Sequence, residues 1–329
     1  MTWFNVLLAK SISAVRVAMT SDLLQKIITH HLPNLEGPFS YQPIPTGKFN
    51  DSFFVQAGAK ELVLRIAPPR DSVFVFYERD MMRQEPGIHE LLLKETKVPV
   101  APILCFDDSL EILDRDFLLM ERLPGSPLTQ ASHLSYSRVL QQVGAYLSET
   151  HLQTRTQYGY LGEHHPMEPQ EKWVDAFQIM WHKMIADIVS VGHYDNEESS
   201  LFLRLLDKHL SLFDREFPAS LLHMDIWHQN ILVNEEGQVT GIVDWDRALW
   251  GDPEIEFAVL DYCGISEPPF WEGYNEKRDL SPDARVRQIF YLLYELQKYI
   301  VIRQGRQRDN AGAKRYKNQV MSVLRQSFL

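Results

Sequence analysis

The sequence predicts an α+β fold with two lobes, a small β-rich lobe followed by a larger and mainly helical lobe. Strand-like runs are concentrated between residues 41 and 120, and the hydrophobic period becomes mostly helical after a linker-like segment at 123–127. A length of 329 residues corresponds to about two domains. We therefore expect an N-lobe at 20–124, a C-lobe at 125–329 and a ligand site between them.

The elements of the N-lobe are predicted from changes in hydrophobic period. Apolar residues recur at helical spacing directly after Ser21 and Asp22, which predicts a first helix. The other elements expected here are strands at 52–55, 61–66, 103–106 and 117–120 and a helical stretch at 77–94, interrupted at 86–87. Residues 1–19 contain no acidic side chain and are interpreted as an N-terminal extension. It is an added helix or a stretch upstream of a start at Met19, with a transit peptide as a further reading on composition.

The C-lobe is predicted to hold helices and a single β-hairpin. Asn234 to Gly237 has the composition of a hairpin turn between two short apolar runs. The predicted helices lie at 136–151, 171–191, 199–213, 283–303 and 313–326, and the hairpin strands at 231–233 and 239–243.

Composition excludes several classes of protein. The formal net charge is −11, from 33 basic and 44 acidic residues, which argues against a nucleic-acid binder. No run of about 18 apolar residues occurs, so no membrane span is expected. Cys105 and Cys263 lie far apart in the sequence, which predicts reduced thiols and a cytoplasmic protein. The oligomeric state stays open.

Acidity is concentrated in the second half of the chain. Residues 126–300 carry 13 basic and 27 acidic side chains, a net charge of −14, whereas residues 301–329 carry a net charge of +6. An acidic cleft would attract cationic small molecules. The alternative is a set of solvated helix faces.

The most informative stretch runs from His223 to Asn230 and has the form His-x-Asp-x-x-x-x-Asn. Phosphoryl transfer needs positioning, neutralisation of charge by Mg²⁺ and one carboxylate aimed at the attacking hydroxyl. In kinase-type sites that carboxylate lies five residues before a metal-binding Asn, the offset of Asp225 from Asn230. Asp244, after the hairpin, occupies the place of a second metal ligand. These oxygen donors suit Mg²⁺.

With the strand Ile242-Val243-Asp244-Trp245-Asp246 and the run Trp250-Gly251-Asp252-Pro253, this stretch resembles the aminoglycoside phosphotransferase family. That family includes choline-kinase-like and fructosamine-kinase-like enzymes and is distantly similar to protein kinases. The resemblance covers residues 40–300 and implies a bilobal, protein-kinase-like fold. It also implies transfer of the γ-phosphoryl group of ATP or GTP to a hydroxyl of a small molecule. Asp225 is the implied base, Asn230 and Asp244 the implied metal ligands.

The same resemblance assigns roles around the catalytic residues. His223 would brace the loop, and Asp252 would tie the following segment to it. Asp246 is interpreted as an indirect contact of the metal, a helix cap or a surface ion pair. Trp227 and His228 are expected to pack, and Glu254 and Glu256 to lie in the first turn of a helix, where negative charge is favoured.

The phosphate side of the nucleotide site is predicted in the N-lobe. Gly47, Asn50 and Ser52 match the reduced glycine loop that the family tolerates, and an ordinary hairpin turn is the alternative. Arg65 stands where the family's typical enzymes have Lys; it can grip phosphate oxygens with two parallel donors. Glu85, rather than Glu90, is predicted as its carboxylate partner.

The purine and the acceptor are predicted on either side of the lobe junction. Met120 would line the purine pocket, and the backbone of Glu121 and Leu123 would bond the purine edge, unless Met120 is simply core. A cationic acceptor would meet some of Asp187, Asp195, Glu197, Glu198, Asp261, Glu267 and Glu272. The segment 264–274 is expected to be a substrate lid or a packed loop.

Three functions remain as alternatives at this point. A Mg²⁺-dependent kinase of a small cationic hydroxyl compound, such as an aminoglycoside, amino sugar or amino alcohol, accounts for the ordered motifs. A kinase of another metabolite, of choline, fructosamine or homoserine type, fits the same motifs. A catalytically weak nucleotide-binding regulator is suggested by Arg65 and the single-glycine loop. The chain lacks the Asp-Phe-Gly and Ala-Pro-Glu signatures of protein kinases.

Overall fold

A five-stranded antiparallel sheet of order β1-β2-β3-β5-β4 forms the small lobe in the computed structural model, which describes residues 17–46, 49–131 and 134–328. The first helix, α1 (Ser21–His31), begins where the sequence predicts, and the Thr20 hydroxyl accepts the Leu23 N–H at 3.2 Å. The strands are β1 (Phe39–Pro43), β2 (Asp51–Ala57), β3 (Lys60–Ile66), β4 (Ile103–Asp107) and β5 (Phe117–Glu121). The predicted β-rich lobe is therefore confirmed.

Strand β3 separates an apolar core from the cleft between the lobes. Its alternating side chains place Leu62 and Leu64 in the core shared with α1, whereas Val63 lies in a separate cluster on the opposite face. Arg65 lies on that same opposite face and pairs with Leu118 of β5 in the sheet register. The period of two thus directs Arg65 toward the cleft.

Most of the larger lobe is helical, as predicted. It also holds two small sheets in the described part of the chain, β10-β9-β6 and β11-β8-β7. Its helices are α3 (Tyr136–His151), α4 (Trp173–Ser190), α5 (Asn196–His209), α6 (Pro253–Cys263), α7 (Pro268–Tyr274), α8 (Pro282–Val301) and α9 (Asn310–Phe328). Its strands are β6 (Ser126–Pro127), β7 (Thr154–Arg155), β8 (Ala219–Leu222), β9 (Ile231–Val233), β10 (Val239–Ile242) and β11 (Leu249–Gly251).

The structure departs from the sequence prediction in short elements. The stretch expected to be helical from 77 becomes the α-helix α2 (Glu85–Glu95), because Pro86 is preorganised for a first turn and a short 3₁₀ turn at Met81–Gln84 precedes it. Strands β8 and β11 were not predicted. Each is a short run buried on both faces, so it lacks the alternation that reveals a strand.

Residues 73–78, between β3 and α2, dock on the larger lobe. The Phe76 N–H donates to the Asp187 carboxylate of α4 at 2.7 Å, and the Tyr77 ring stacks on Tyr160 with centroids 4.6 Å apart. Val73 contacts Gly305, where an added Cβ would lie 2.3 Å from the valine side chain. This part of the predicted N-lobe, 20–124, therefore joins the lobes firmly.

Two further predictions concern the chain ends and membranes. The predicted extension at 1–19 lies outside the described residues except for its last three positions. Within the described ranges, no helix is both long and apolar enough to cross a bilayer.

Candidate active site

The loop between β8 and β9 holds the predicted catalytic residues, and His223 braces it. His223 is fully buried; its Nε2 donates to the Val243 carbonyl at 3.0 Å, and its Nδ1 accepts the Asp225 N–H at 3.2 Å. One imidazole thus links the start of the loop to the segment that carries Asp244. This is the geometry of the brace that the family resemblance implies.

Asp225 and Asn230 meet at the open side of this loop. The Asn230 amide donates to the Asp225 carbonyl at 3.0 Å and to its carboxylate Oδ2 at 3.2 Å. The Val243 N–H donates to the Asn230 carbonyl at 3.0 Å, so Asp244 follows directly beside Asn230. The Asp225 side chain is 31 % exposed, so a bound molecule can reach it. The loop therefore joins Asp225 to Asn230 directly, and a backbone hydrogen bond of the residue before Asp244 links Asp244 to Asn230.

Glu256 of α6 anchors the loop by accepting hydrogen bonds from two of its backbone N–H groups. It is fully buried on α6 and accepts the Met224 N–H at 2.6 Å and the His223 N–H at 3.2 Å. His151 Nε2 lies 2.8 Å from Glu256 Oε2, the oxygen that also accepts the His223 N–H, and His151 is itself hydrogen-bonded to Tyr274 at 2.7 Å. Burial alone would raise the pKa of Glu256, but these partners lower it below its ordinary value. The anchor is thus a carboxylate, and it holds Met224 at φ +65°.

The sequence assigned this anchoring role to the wrong residue. Asp252 caps α6 by accepting the Glu254 N–H at 3.0 Å, accepts the Tyr291 hydroxyl at 2.8 Å and pairs with Arg215. None of these contacts reaches the catalytic loop, so Asp252 ties α6 to other parts of the lobe. Glu256, predicted only as a residue of the first helical turn, makes the tie instead.

Arg65 lies at the centre of a cluster of carboxylates. It pairs with Glu85 of α2, with Asp244 at 2.5 Å and with Asp246 at 2.9 Å. The pairing with Glu85 rather than Glu90 is the one predicted, because Glu85 starts α2 at the lobe junction. Burial disfavours the charge of Arg65, but the three carboxylates raise its pKa above the ordinary value. Arg65 therefore stays a cation in a buried setting.

Asp246 belongs to the same cluster and is neither a cap nor a surface ion pair. Only 4 % exposed, it accepts the Asn50 amide at 3.0 Å, and its carbonyl accepts the Gln84 amide at 2.5 Å. Burial and the neighbouring Asp244 raise the pKa of Asp246 well above its ordinary value. Asn50 thus reaches the carboxylate cluster from the loop before β2.

The oxygen atoms of this cluster fit a hard divalent cation. One oxygen each from Glu85, Asp244 and Asp246 lie within 4.8 Å of one another. Two buried oxygens, Glu85 Oε2 and Asn50 Oδ1, have no hydrogen-bond partner among the described residues. Hard oxygen donors of this kind are the ligands that Mg²⁺ prefers.

The predicted purine contacts are only partly available. Met120, 7 % exposed, lies in the apolar cluster on the cleft face of the sheet together with Leu118. The Glu121 N–H already donates to the Pro102 carbonyl at 3.0 Å, which leaves its carbonyl for a ligand. Among described residues the Leu123 backbone makes no hydrogen bond, so its N–H is available. Ser52 faces Arg65 across β2 and β3.

The predicted phosphate loop is described only in part. Gly47 lies outside the described residues, whereas Phe49 and Asn50 lie inside them. The Phe49 ring lies 4.7 Å from the Arg306 guanidinium, which in turn pairs with Glu78 at 3.1 Å. Phe49 and Asn50 are therefore held against the segment between α8 and α9 and against Asp246, respectively.

Most of the acidic residues predicted for the acceptor have structural partners instead. Asp187 accepts the Phe76 N–H, Asp195 and Glu198 form a capping box on α5, and Asp261 pairs with Arg278. Glu197, Glu267 and Glu272 remain exposed.

Of the exposed acids, Glu267 lies close to the catalytic loop. Burial and the charge of Glu267 raise the pKa of Tyr136 to about 12. The Tyr136 hydroxyl in turn bonds His228 Nε2 at 2.6 Å, and the two rings stack. His228 therefore packs, as predicted, and Glu267 is an exposed carboxylate near Tyr136, the partner of His228.

The segment 264–274 forms a packed helix rather than a lid. Helix α7 crosses α3 where two glycines allow the backbones to touch. A Cβ at Gly273 would lie 1.8 Å from the Gln141 carbonyl oxygen, and one at Gly144 would lie 2.1 Å from that of Phe270. Phe270 and Tyr274 are buried in this contact. The structure thus favours the packed alternative.

Known proteins of similar sequence and fold include kinases. A probable ketoamine kinase of Vibrio parahaemolyticus is 24 % identical over 256 residues, which cover 76 % of this chain and 82 % of that protein. A probable ketoamine kinase of Klebsiella aerogenes is 26 % identical over 270 residues, 77 % of this chain and 83 % of that protein.

A solved structure of a thermostable mutant of the aminoglycoside phosphotransferase APH(4)-Ia, in ternary complex with AMP-PNP and hygromycin B, has the same fold. It matches with a TM-score of 0.65 and 18 % identity over 93 % of this chain and 99 % of that chain. The kinase-like bilobal fold is thus confirmed. A model of the phosphotransferase enzyme family matches residues 40–287, more than half of the sequence. This chain belongs to the phosphotransferase enzyme family.

Proposed function

We propose that this protein transfers the γ-phosphoryl group of ATP, or of GTP, to a hydroxyl group of a small molecule. The observation that carries the proposal is the convergence of Asp225, Asn230 and Asp244 through the hydrogen bonds of the catalytic loop. Family membership and the kinases among its relatives support the same reaction class.

Asp225 acts as the base in this proposal. Its Oδ2 is held by Asn230, and its Oδ1 makes no hydrogen bond among the described residues, so Oδ1 takes the proton of the acceptor hydroxyl. The acceptor oxygen then forms a bond to the γ-phosphorus as the bond to the β,γ-bridging oxygen breaks. His223 and Glu256 keep the loop in place during this step.

Asn230 and Asp244 would hold Mg²⁺, with Asp246 beside them. When bound, Mg²⁺ supplies neutralisation of the negative charge on the nucleotide phosphates. Arg65, held by Glu85, points its guanidinium at the same place and is positioned to grip phosphate oxygens. Met120 and the backbone of Glu121 and Leu123 would receive the purine.

The acceptor class that we favour is an amino sugar or ketoamine. Its support is the sequence similarity to probable ketoamine kinases and the exposed carboxylate of Glu267 near Tyr136, which is hydrogen-bonded to His228 of the catalytic loop. Choline-like and homoserine-like acceptors are the alternatives. The cytoplasmic location inferred from the cysteines stays a prediction.

The Asp225→Asn variant tests the proposal. We expect this variant to bind Mg²⁺ and ATP but to lose transfer by about 10²- to 10⁴-fold, the usual contribution of a general base. Asp175→Asn, a change at an exposed residue of α4, is the matched control. Phosphorylation is measured by mass shift across aminoglycosides, glycated amines, choline-like amines and sugars. Undiminished transfer by Asp225→Asn would contradict the assigned role.

A second candidate is a nucleotide-binding regulator without transfer. It is favoured by one observation, the direct pairing of Arg65 with the predicted metal ligand Asp244. A thermal shift with Mg²⁺ and ATP, combined with absence of phosphorylation of every acceptor and of ATP hydrolysis, would favour this candidate.

A further inference from the structure

A buried network of four charges lies behind the catalytic base. Arg247, from the turn after Asp244, and Lys298 of α8 lie 3.9 and 3.8 Å from Asp225 Oδ1. Glu295, also on α8, pairs with both of these cations. Arg247, Glu295 and Lys298 are 6 %, 1 % and 4 % exposed, respectively. Nothing in the motif pattern links α8 to the catalytic loop, so this relationship is visible only in the folded chain.

Both terminal nitrogens of Arg247 have structural partners. Its Nη1 donates to the Met224 carbonyl at 2.6 Å, and its Nη2 donates to Glu295 at 2.9 Å. Its guanidinium also lies over the Tyr77 ring, 5.3 Å from the centroid. Arg247 thus holds the catalytic loop against α8 and neutralises Glu295.

Lys298 is a second cation beside the Glu295 carboxylate. Its Nζ lies 2.6 Å from Glu295 and 3.8 Å from Asp225 Oδ1, on the oxygen that Asn230 does not bind. Burying a lysine is costly unless a negative charge accompanies it. Since Arg247 already balances Glu295, only an ionised Asp225 makes the network neutral.

The position of Lys298 suits contact with a reacting group. An Nζ–Oδ1 distance of 3.8 Å is longer than a hydrogen bond, so the ammonium group keeps a donor for a third partner that lies beside both atoms. The catalytic loop from Asp225 to Asn230 contains no Lys or Arg of its own. A cation for the phosphoryl group at this point must therefore come from elsewhere in the chain.

We propose that Lys298, supplied by α8, contacts the phosphoryl group during transfer, beside Asp225. This inference rests on the proposed function. The acceptor proton moves to Asp225, the acceptor oxygen bonds to phosphorus, and the bridging oxygen leaves with its electron pair on the nucleoside diphosphate. Lys298 stays protonated throughout and stabilises the charge on the equatorial oxygens of the transferred group.

The test compares affinities for AMP-PNP and ADP with Mg²⁺ by calorimetry, which needs no acceptor. Lys298→Met should lower the preference for AMP-PNP over ADP by about 10- to 100-fold, as for loss of a charged hydrogen bond. Lys298→Arg should restore part of that preference. Lys317→Met is the matched control. Lys317 of α9 also lies 2.6 Å from a glutamate, Glu198 of α5.

The outcomes separate the two proposals. A folded Lys298→Met variant that keeps the wild-type AMP-PNP to ADP ratio overturns the role of Lys298. Where Lys298→Met does not fold, Lys298→Gln, which also removes the charge, is measured instead, and an unchanged ratio has the same meaning. A lower melting temperature with an unchanged ratio also overturns it, because that result describes a purely structural lysine. Wild-type protein that binds neither nucleotide would overturn the proposed function itself.

Discussion

Arg65 of β3 and Asp244, the residue that follows the β10 hairpin by two positions, lie 2.5 Å apart between a guanidinium nitrogen and a carboxylate oxygen. They are separated by 179 residues. The pair joins the small lobe to the side of the large lobe where we propose that Mg²⁺ binds. Because Glu85 and Asp246 contact the same guanidinium, one cation organises three carboxylates.

Removing the charge of Arg65 should destabilise the protein strongly. In Arg65→Met, three largely buried carboxylates lose their shared cation, which costs about 3–5 kcal/mol for a broken buried pair. Urea unfolding measures the free energy. Arg122→Met is the control, because Arg122 and Glu61 form an exposed pair at 3.5 Å worth less than about 1 kcal/mol. Equal losses in both variants would contradict the buried cluster.

Mg²⁺ should couple to nucleotide binding through Asp244. In the wild type we expect ATP to raise the melting temperature more with Mg²⁺ than with EDTA. Asp244→Asn should weaken the Mg²⁺-dependent affinity at least about tenfold, a loss of about 1.4 kcal/mol. Thermal-shift titrations at several Mg²⁺ concentrations measure this difference. If Asp244→Asn keeps the full Mg²⁺ effect, Asp244 is not a metal ligand.

Glu256 should make stability depend on pH in the acid range. Burial would raise its pKa, but His151 and the loop amides lower it below the unfolded value of 4.5. A lowered pKa means that the stabilisation is complete above pH 4.5 and is lost as the pH falls toward the folded value.

At pH 7, Glu256→Gln should therefore lower the free energy of unfolding by roughly 1–3 kcal/mol, because buried groups are left without a hydrogen-bond partner. Turnover should fall as well, because the catalytic loop loses its anchor. The gap to the wild type should narrow as the pH falls below 4.5, as followed by urea unfolding at several pH values. A gap that is the same at every pH would show that the Glu256 charge has no role.

The contact between α3 and α7 can be tested by comparing two glycine substitutions, one expected to destabilise the protein and one expected to stabilise it. Gly273→Ala would place a Cβ 1.8 Å from a backbone oxygen and should cost about 1–3 kcal/mol through overpacking. Gly87→Ala, in α2 with no atom within 4 Å, should stabilise by about 0.5–1 kcal/mol. Thermal unfolding compares them. Tolerance of Gly273→Ala would indicate that α7 moves away from α3, as a lid would.

Local spacing allowed much of the site to be predicted. Asp225 and Asn230 are five residues apart in one loop, and Asp244 follows a hairpin whose turn residues are visible in the sequence. Such groups are brought together by short segments whose geometry depends mainly on neighbouring residues. The helix cap at Thr20 and the start of α2 at Pro86 are local in the same sense.

The sequence by itself thus determined the order of the elements, the two lobes and the residues of the catalytic loop, because period, turn residues and short spacings act within a few residues. Only the tertiary structure decided that Glu256 rather than Asp252 anchors this loop, that Asp246 joins the carboxylate cluster and that Lys298 stands beside Asp225. These contacts span 32 to 73 residues or cross between the lobes. Packing of helices and strands creates them, and no local pattern records which buried charges will meet.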